Sequence, residues 1–240
     1  MSDAFYSILP GVVAVASSAI LFLRIRKNNI LGAKDFFWHY AFAFGVIAAA
    51  SIMVFLINIG VGMRYNALFA LCAFTFFIVF VSYLLFFRGT TLLFMKDRFF
   101  PTILPLLVLP IGLAFSIIAL FFLRFSGIII YTAVAWGFLF VNDNILASIF
   151  LYSFATGSPI RNIKGKLCSF ILALGWFSVL GSDVFLWIQA ALYSPDFWIL
   201  KIISMKWWFL ARAVIYLVIL IGVLLSGKYL QYPNDTEEKK

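Results

Sequence analysis

The chain alternates between long apolar segments and short polar segments that hold most of its charged residues. An apolar run of about 20 residues is the sequence signal for a membrane-spanning helix, because a helix rises about 1.5 Å per residue and the hydrocarbon core is about 30 Å thick. Seven such runs are present, and each predicts one spanning helix. They cover residues 4–23, 36–59, 66–87, 101–123, 127–154, 167–192 and 206–227.

This pattern predicts an all-α integral membrane protein, a bundle of seven transmembrane helices. The connections are too short to fold separately, so residues 1–230 are expected to form one domain, followed by a disordered polar tail over residues 231–240. The first run has no basic segment before it and ends at Arg24, which favours an uncleaved helix over a signal peptide.

The basic residues of the connections predict the orientation. Cytoplasmic loops of membrane proteins carry an excess of Lys and Arg. The connections after the first, third, fifth and seventh runs are the more basic, which places the N-terminus outside and the C-terminus in the cytoplasm. We expect the membrane to be the plasma (cytoplasmic) membrane. The residues on the basic side are Arg24, Arg26, Lys27, Lys34, Arg88, Lys96, Arg98, Arg161, Lys164, Lys166 and Lys228.

Composition agrees with a lipid environment. Hydrophobic residues make up 65% of the 240 residues and charged residues 11%, whereas about a quarter of a typical soluble domain is charged. The bilayer is therefore the expected partner. The net charge of +9 comes from residues that flank apolar runs, so we interpret it as the basic flank of membrane helices and expect no nucleic-acid partner.

Several function classes are excluded by what the chain lacks. It has one histidine, His39, and two cysteines without CxxC spacing, which excludes bis-histidine haem ligation and predicts neither a metal site nor a cofactor. No metalloprotease, nucleophile–base or nucleotide-loop motif is present, so we expect no enzyme. A retinal photoreceptor needs a lysine midway along the last helix, and Arg212 lies there instead.

Three charged residues lie deep inside apolar runs: Asp143, Asp183 and Arg212. Charges at such depth are costly, so they usually pair and often mark a functional site. At about 1.5 Å per residue, Asp183 and Arg212 lie roughly 22–24 Å from the same membrane boundary, on antiparallel neighbouring helices. This predicts a buried ion pair. Asp143, at roughly 17 Å, has no basic residue at its depth and is the candidate for a proton or cation site.

Aromatic residues accompany these charges on the same helix faces. Trp176 and Trp187 share a face with Asp183, and Trp208 and Tyr216 share one with Arg212. The neighbours of Asp143 in sequence, Asn142 and Asn144, cannot both face its partner, because three consecutive residues turn through about 200°. The predicted ligand or ion pathway is Asp143, Asp183, Arg212, Asn142, Asn144, Trp136, Trp176, Trp187, Trp208 and Tyr216.

Three functions remain open on these residues. One is a sensory or regulatory module whose tryptophan-lined polar core binds a small ligand or lipid and signals to a cytoplasmic partner. Another is a small proton-coupled transporter or channel that uses Asp143 and the Asp183–Arg212 pair. The third is a non-catalytic subunit of a larger membrane complex, in which the polar residues only hold helices together.

Overall fold

A computed structural model describes residues 5–27, 34–59, 65–94, 125–156, 163–192 and 206–229. Within these ranges the protein is all-helical, with six helices. They are α1 (Leu9–Lys27), α2 (Lys34–Ile59), α3 (Tyr65–Phe94), α4 (Phe125–Thr156), α5 (Ile163–Leu192) and α6 (Lys206–Tyr229).

These helices correspond to six of the seven predicted runs. The fourth run, residues 101–123, and the tail, residues 231–240, lie outside the described residues. The all-helical class is thus confirmed for the described part of the chain. The count of seven helices, the division into one domain and a tail, and the orientation of the termini remain predictions.

The largest boundary difference is at the end of α3. The apolar run ends before Arg88, but the helix continues through it to Phe94. Two threonines in this last part are hydrogen-bonded without breaking the helix: the Thr91 hydroxyl donates to the Phe87 carbonyl oxygen at 2.9 Å, and the hydroxyls of Thr90 and Tyr40 are 2.8 Å apart. This last part of α3 packs against α2, where a Cβ placed at Gly89 would lie 2.9 Å from His39 Cβ.

Five of the described helices are long and apolar enough to cross a membrane: α1, α2, α3, α5 and α6. Large apolar side chains also point away from the bundle, and Val12, Phe42 and Ile221 are each at least half exposed, at 57%, 52% and 50%. Such a surface suits lipid rather than water. Both observations support insertion into a membrane.

The six helices form a closed ring in the described part of the structure. Each helix packs against its neighbours in sequence, and α6 returns to pack against α1. Across α1 and α2, Phe22 contacts Trp38 whereas Gly11 approaches Ser51, so the two helices run antiparallel. Inner faces carry the buried core, whose largest fully buried side chains are Trp176, Tyr40, Phe36, Phe44, Phe86 and Phe150.

α5 and α6 are held unusually close by two glycines. A Cβ placed at Gly175 would lie 2.7 Å from Ile219 Cγ1, and one placed at Gly222 would lie 2.7 Å from two carbons of Leu172. Small residues at such points let helix backbones approach each other. The close contact sets the distance between the helices that carry Asp183 and Arg212.

Gly175 therefore offers a test of this contact. We expect Gly175→Ala to lower the thermal midpoint of the detergent-purified protein, because overpacking against the fully buried, β-branched Ile219 costs about 1 kcal/mol or more. The matched control is Gly181→Ala in the same helix, where an added Cβ has no neighbour within 4 Å. Both variants gain the same helix propensity, so equal midpoints would contradict the close packing.

Candidate functional site

The predicted ion pair between Asp183 and Arg212 is present in the centre of the bundle. Arg212 Nη2 of α6 contacts Asp183 Oδ1 of α5. Both side chains are buried, with 4% of Arg212 and none of Asp183 exposed. The pair forms because two antiparallel helices place the residues at one depth, and because either charge alone would be costly in a medium of low dielectric constant.

Arg212 has two further contacts that fix its orientation. Its Nη1 donates a hydrogen bond of 3.4 Å to the hydroxyl of Tyr83 in α3. Its guanidinium carbon lies 5.1 Å from the ring centroid of Trp208, one turn earlier in α6. Guanidinium groups are attracted to the negative faces of aromatic rings. One arginine thus connects α3, α5 and α6.

Asp143 of α4 faces the same interior. Its side chain is fully buried, and it interacts electrostatically with Arg212 of α6. Neither carboxylate oxygen has a hydrogen-bond partner among the described residues. A fourth helix therefore contributes a carboxyl group to the polar centre, where the described residues include one buried guanidinium and two buried carboxyl groups.

The two asparagines beside Asp143 separate, as helix geometry requires. Asn142 is buried, and its Nδ2 has no hydrogen-bond partner within the described ranges. Asn144 lies on the exposed face of α4, where its Oδ1 accepts a hydrogen bond of 3.3 Å from Ser148. The expectation that Asn144 lines the interior is wrong, because two positions along a helix turn the side chain through about 200° from the face of Asn142.

Aromatic side chains line one side of the polar centre. The Trp176 ring meets Tyr83 and Phe86 edge-on, at centroid distances of 6.1 and 5.0 Å. Tyr216, also buried, meets Phe44 of α2 at 6.0 Å. Of the predicted aromatic residues, Trp176, Trp208 and Tyr216 thus lie at or beside the site. The side chains of Trp136 and Trp187 lie outside the described part of the structure, so their placement remains a prediction.

Tyr83 is the residue that sequence reasoning missed. It lies within an otherwise apolar stretch of α3 and is buried. A buried tyrosine hydroxyl usually finds a polar partner, so its position midway through a spanning segment was an available signal. Which partner it takes depends on the arrangement of α3 against α6, which local sequence does not specify.

Comparison with protein-family models, curated proteins and solved structures gives no match. The site holds a buried guanidinium paired with Asp183, a second buried carboxyl group on Asp143, and aromatic rings beside them.

The stability of two variants tests the ion pair. We expect Arg212→Ala to lower the unfolding free energy by about 3–5 kcal/mol, because it leaves the buried Asp183 without its cation. The double variant Asp183→Asn, Arg212→Gln removes both charges and keeps a polar side chain at each position, so its loss should be smaller. Thermal or denaturant unfolding in detergent measures both, and equal losses would argue against the pairing.

The hydrogen bond from Arg212 to Tyr83 can be tested separately. Tyr83→Phe removes one hydroxyl and keeps the ring against Trp176, so we expect a loss of about 0.5–1.5 kcal/mol. Tyr40→Phe is the matched control at a hydroxyl that bonds Thr90 instead. Removing the hydroxyl of Tyr83 should weaken the added effect of Arg212→Gln, whereas Tyr40→Phe should leave that effect unchanged.

Proposed function

We propose that the protein is a sensory or regulatory membrane module, without enzymatic activity, whose interior site binds a small ligand or a lipid. The observation that carries the proposal is the buried Asp183–Arg212 pair with Asp143 beside it, next to Trp176 and Tyr83. Buried polar groups next to aromatic faces suit a ligand that combines an apolar body with one polar group. The site also involves four helices, so occupancy would affect how they pack.

A continuous set of aromatic contacts supports transmission away from this site. Trp176 contacts Phe86, and Phe86 contacts Tyr40 at 4.9 Å. Tyr40 then bonds Thr90 near the end of α3. Such a continuous set of contacts supports coupling between the interior site and this end of α3.

The end of the bundle that this chain of contacts reaches is basic. Arg24, Arg26 and Lys27 lie in the last turn of α1, Lys34 begins α2, and Arg88 lies near the end of α3. In the topology expected from the positive-inside rule, this end faces the cytoplasm. We infer that a cytoplasmic partner with an acidic surface binds here and responds to the state of the interior site.

A second candidate function, proton-coupled transport, is favoured by Asp143 itself. A fully buried carboxylate without a hydrogen-bond partner in the described residues is the kind of group that carries protons through membrane proteins. In this candidate the Asp183–Arg212 pair and Asp143 would act together as the relay.

Thermal unfolding with added lipids and small molecules, combined with flux measurements in liposomes, separates these candidates. The sensory proposal expects a ligand or lipid that raises the thermal midpoint of the protein, with no flux of protons or solute. The increase should be lost in Trp176→Leu, which removes a ring from the side of the site. It should persist in Trp207→Leu, because Trp207 is 73% exposed on the outside of α6.

Other outcomes would overturn the sensory proposal. Proton or solute flux that disappears in Asp143→Asn would establish the transporter instead. Co-purification of a stoichiometric membrane partner, together with unfolding of the protein when that partner is removed, would establish the subunit of a larger complex. An increase in midpoint that survives equally in both tryptophan variants would place the ligand outside the interior site.

A further inference from the structure

The balance of charges in the interior is uneven. Asp143, Asp183 and Arg212 are the charged residues buried in the described helices, and they comprise two carboxylates and one guanidinium. The sequence has no other Lys or Arg deep in its apolar runs; in particular, residues 99–123 contain no charged residue. With all three groups ionised the interior would therefore carry one unbalanced negative charge.

The contacts decide which carboxylate lacks a counter-charge. Arg212 contacts Asp183 directly, and its other terminal nitrogen bonds Tyr83. Asp143 interacts with Arg212 only at longer range, and its two oxygens have no hydrogen-bond donor in the described part of the chain. Among the described residues, the titratable groups that interact electrostatically with Asp143 are Tyr83 from α3 and Arg212 and Tyr216 from α6, while Asp183 of α5 pairs with Arg212.

We propose that Asp143 is a proton-binding site that holds one proton when the bundle is folded at neutral pH. The inference rests on the interior site of the proposed function and names the ligand of one of its residues. Binding of the proton converts the Asp143 carboxylate to a neutral carboxylic acid. This removes the unbalanced charge, and Arg212 then pairs with Asp183 alone. Release of the proton creates a second buried anion, and Arg212 must then be shared between two carboxylates.

This arrangement couples proton occupancy to helix packing. Arg212 connects α3, α5 and α6, and a charged Asp143 adds an attraction towards α4. The protonation state of Asp143 therefore determines whether α4 is also attracted to the guanidinium of Arg212. A monovalent cation bound at Asp143 would balance the same charge, so the experiment must separate a proton from a metal cation.

Infrared spectroscopy of the whole protein in detergent or lipid tests the proposal. A protonated carboxylic acid gives a carbonyl stretching band that a carboxylate does not have. At neutral pH we expect this band in the wild type with and without sodium, its loss in Asp143→Asn, and its retention in Asn144→Ala, the outward-facing control on the same helix. Should Asp143→Asn fail to fold, Asp143→Glu keeps the acid, and the band should shift in frequency.

Stability gives a second measurement with a defined sign. The thermal midpoint of the wild type should fall as pH rises from the acidic range up to the pH at which the band disappears, because over this range the unfolded chain has released the proton of Asp143 and the folded bundle still holds it. Asp143→Asn should show no such fall over that range. A band that is absent from the wild type, that appears only when sodium is removed, or that remains unchanged in Asp143→Asn would overturn the proposal.

Failure of the proton-site proposal and failure of the sensory proposal give different results. A proton band assigned to Asp143, in a protein whose stability responds to no lipid or small molecule, would retain the proton site and reject the sensory module. A thermal midpoint that a ligand raises only when Trp176 is present, in a protein without the carboxylic acid band, would retain the sensory module and reject the proton site.

Discussion

A single guanidinium buried among carboxylates and aromatic rings is the constraint on which the interior of this protein depends. Arg212 contacts Asp183, Tyr83 and Trp208, so it joins three helices and faces a fourth through Asp143. Both members of the Asp183–Arg212 pair are buried, so removing either one leaves the other as an uncompensated buried charge. The positions of α3, α5 and α6 are therefore interdependent.

Packing brings that guanidinium to its partners. Gly175 and Gly222 allow α5 and α6 to approach closely, each of them facing a large side chain of the other helix. The aromatic residues of α2, α3 and α5 fill the ring beside the polar centre, with Phe86 in contact with Trp176, Tyr40 and Phe44. The polar groups thus lie within a rigid apolar frame, which limits the ways they can rearrange when their charge changes.

A buried ion pair can serve only to hold two helices together. The additional carboxyl group of Asp143 is the feature that favours a functional role for this site. A lone ion pair would suffice to hold α5 against α6. Asp143 adds a second carboxylate for which the described residues provide no hydrogen-bond donor, and a group with that cost is rarely retained for packing alone. The proposals for ligand sensing and for proton binding both depend on this surplus acid rather than on the pair.

The sequence by itself determined the helical, membrane-suited character of the chain, because a run of apolar residues is a local property. It also predicted the pairing of Asp183 with Arg212, since consecutive antiparallel helices of known rise place both at one depth. Only the tertiary structure decided that Tyr83 binds Arg212, that Asn144 faces outward, and that α3 continues past Arg88. These outcomes depend on the rotation and contacts of each helix relative to its neighbours. Hydropathy does not encode that rotation when apolar residues surround the helix on every side.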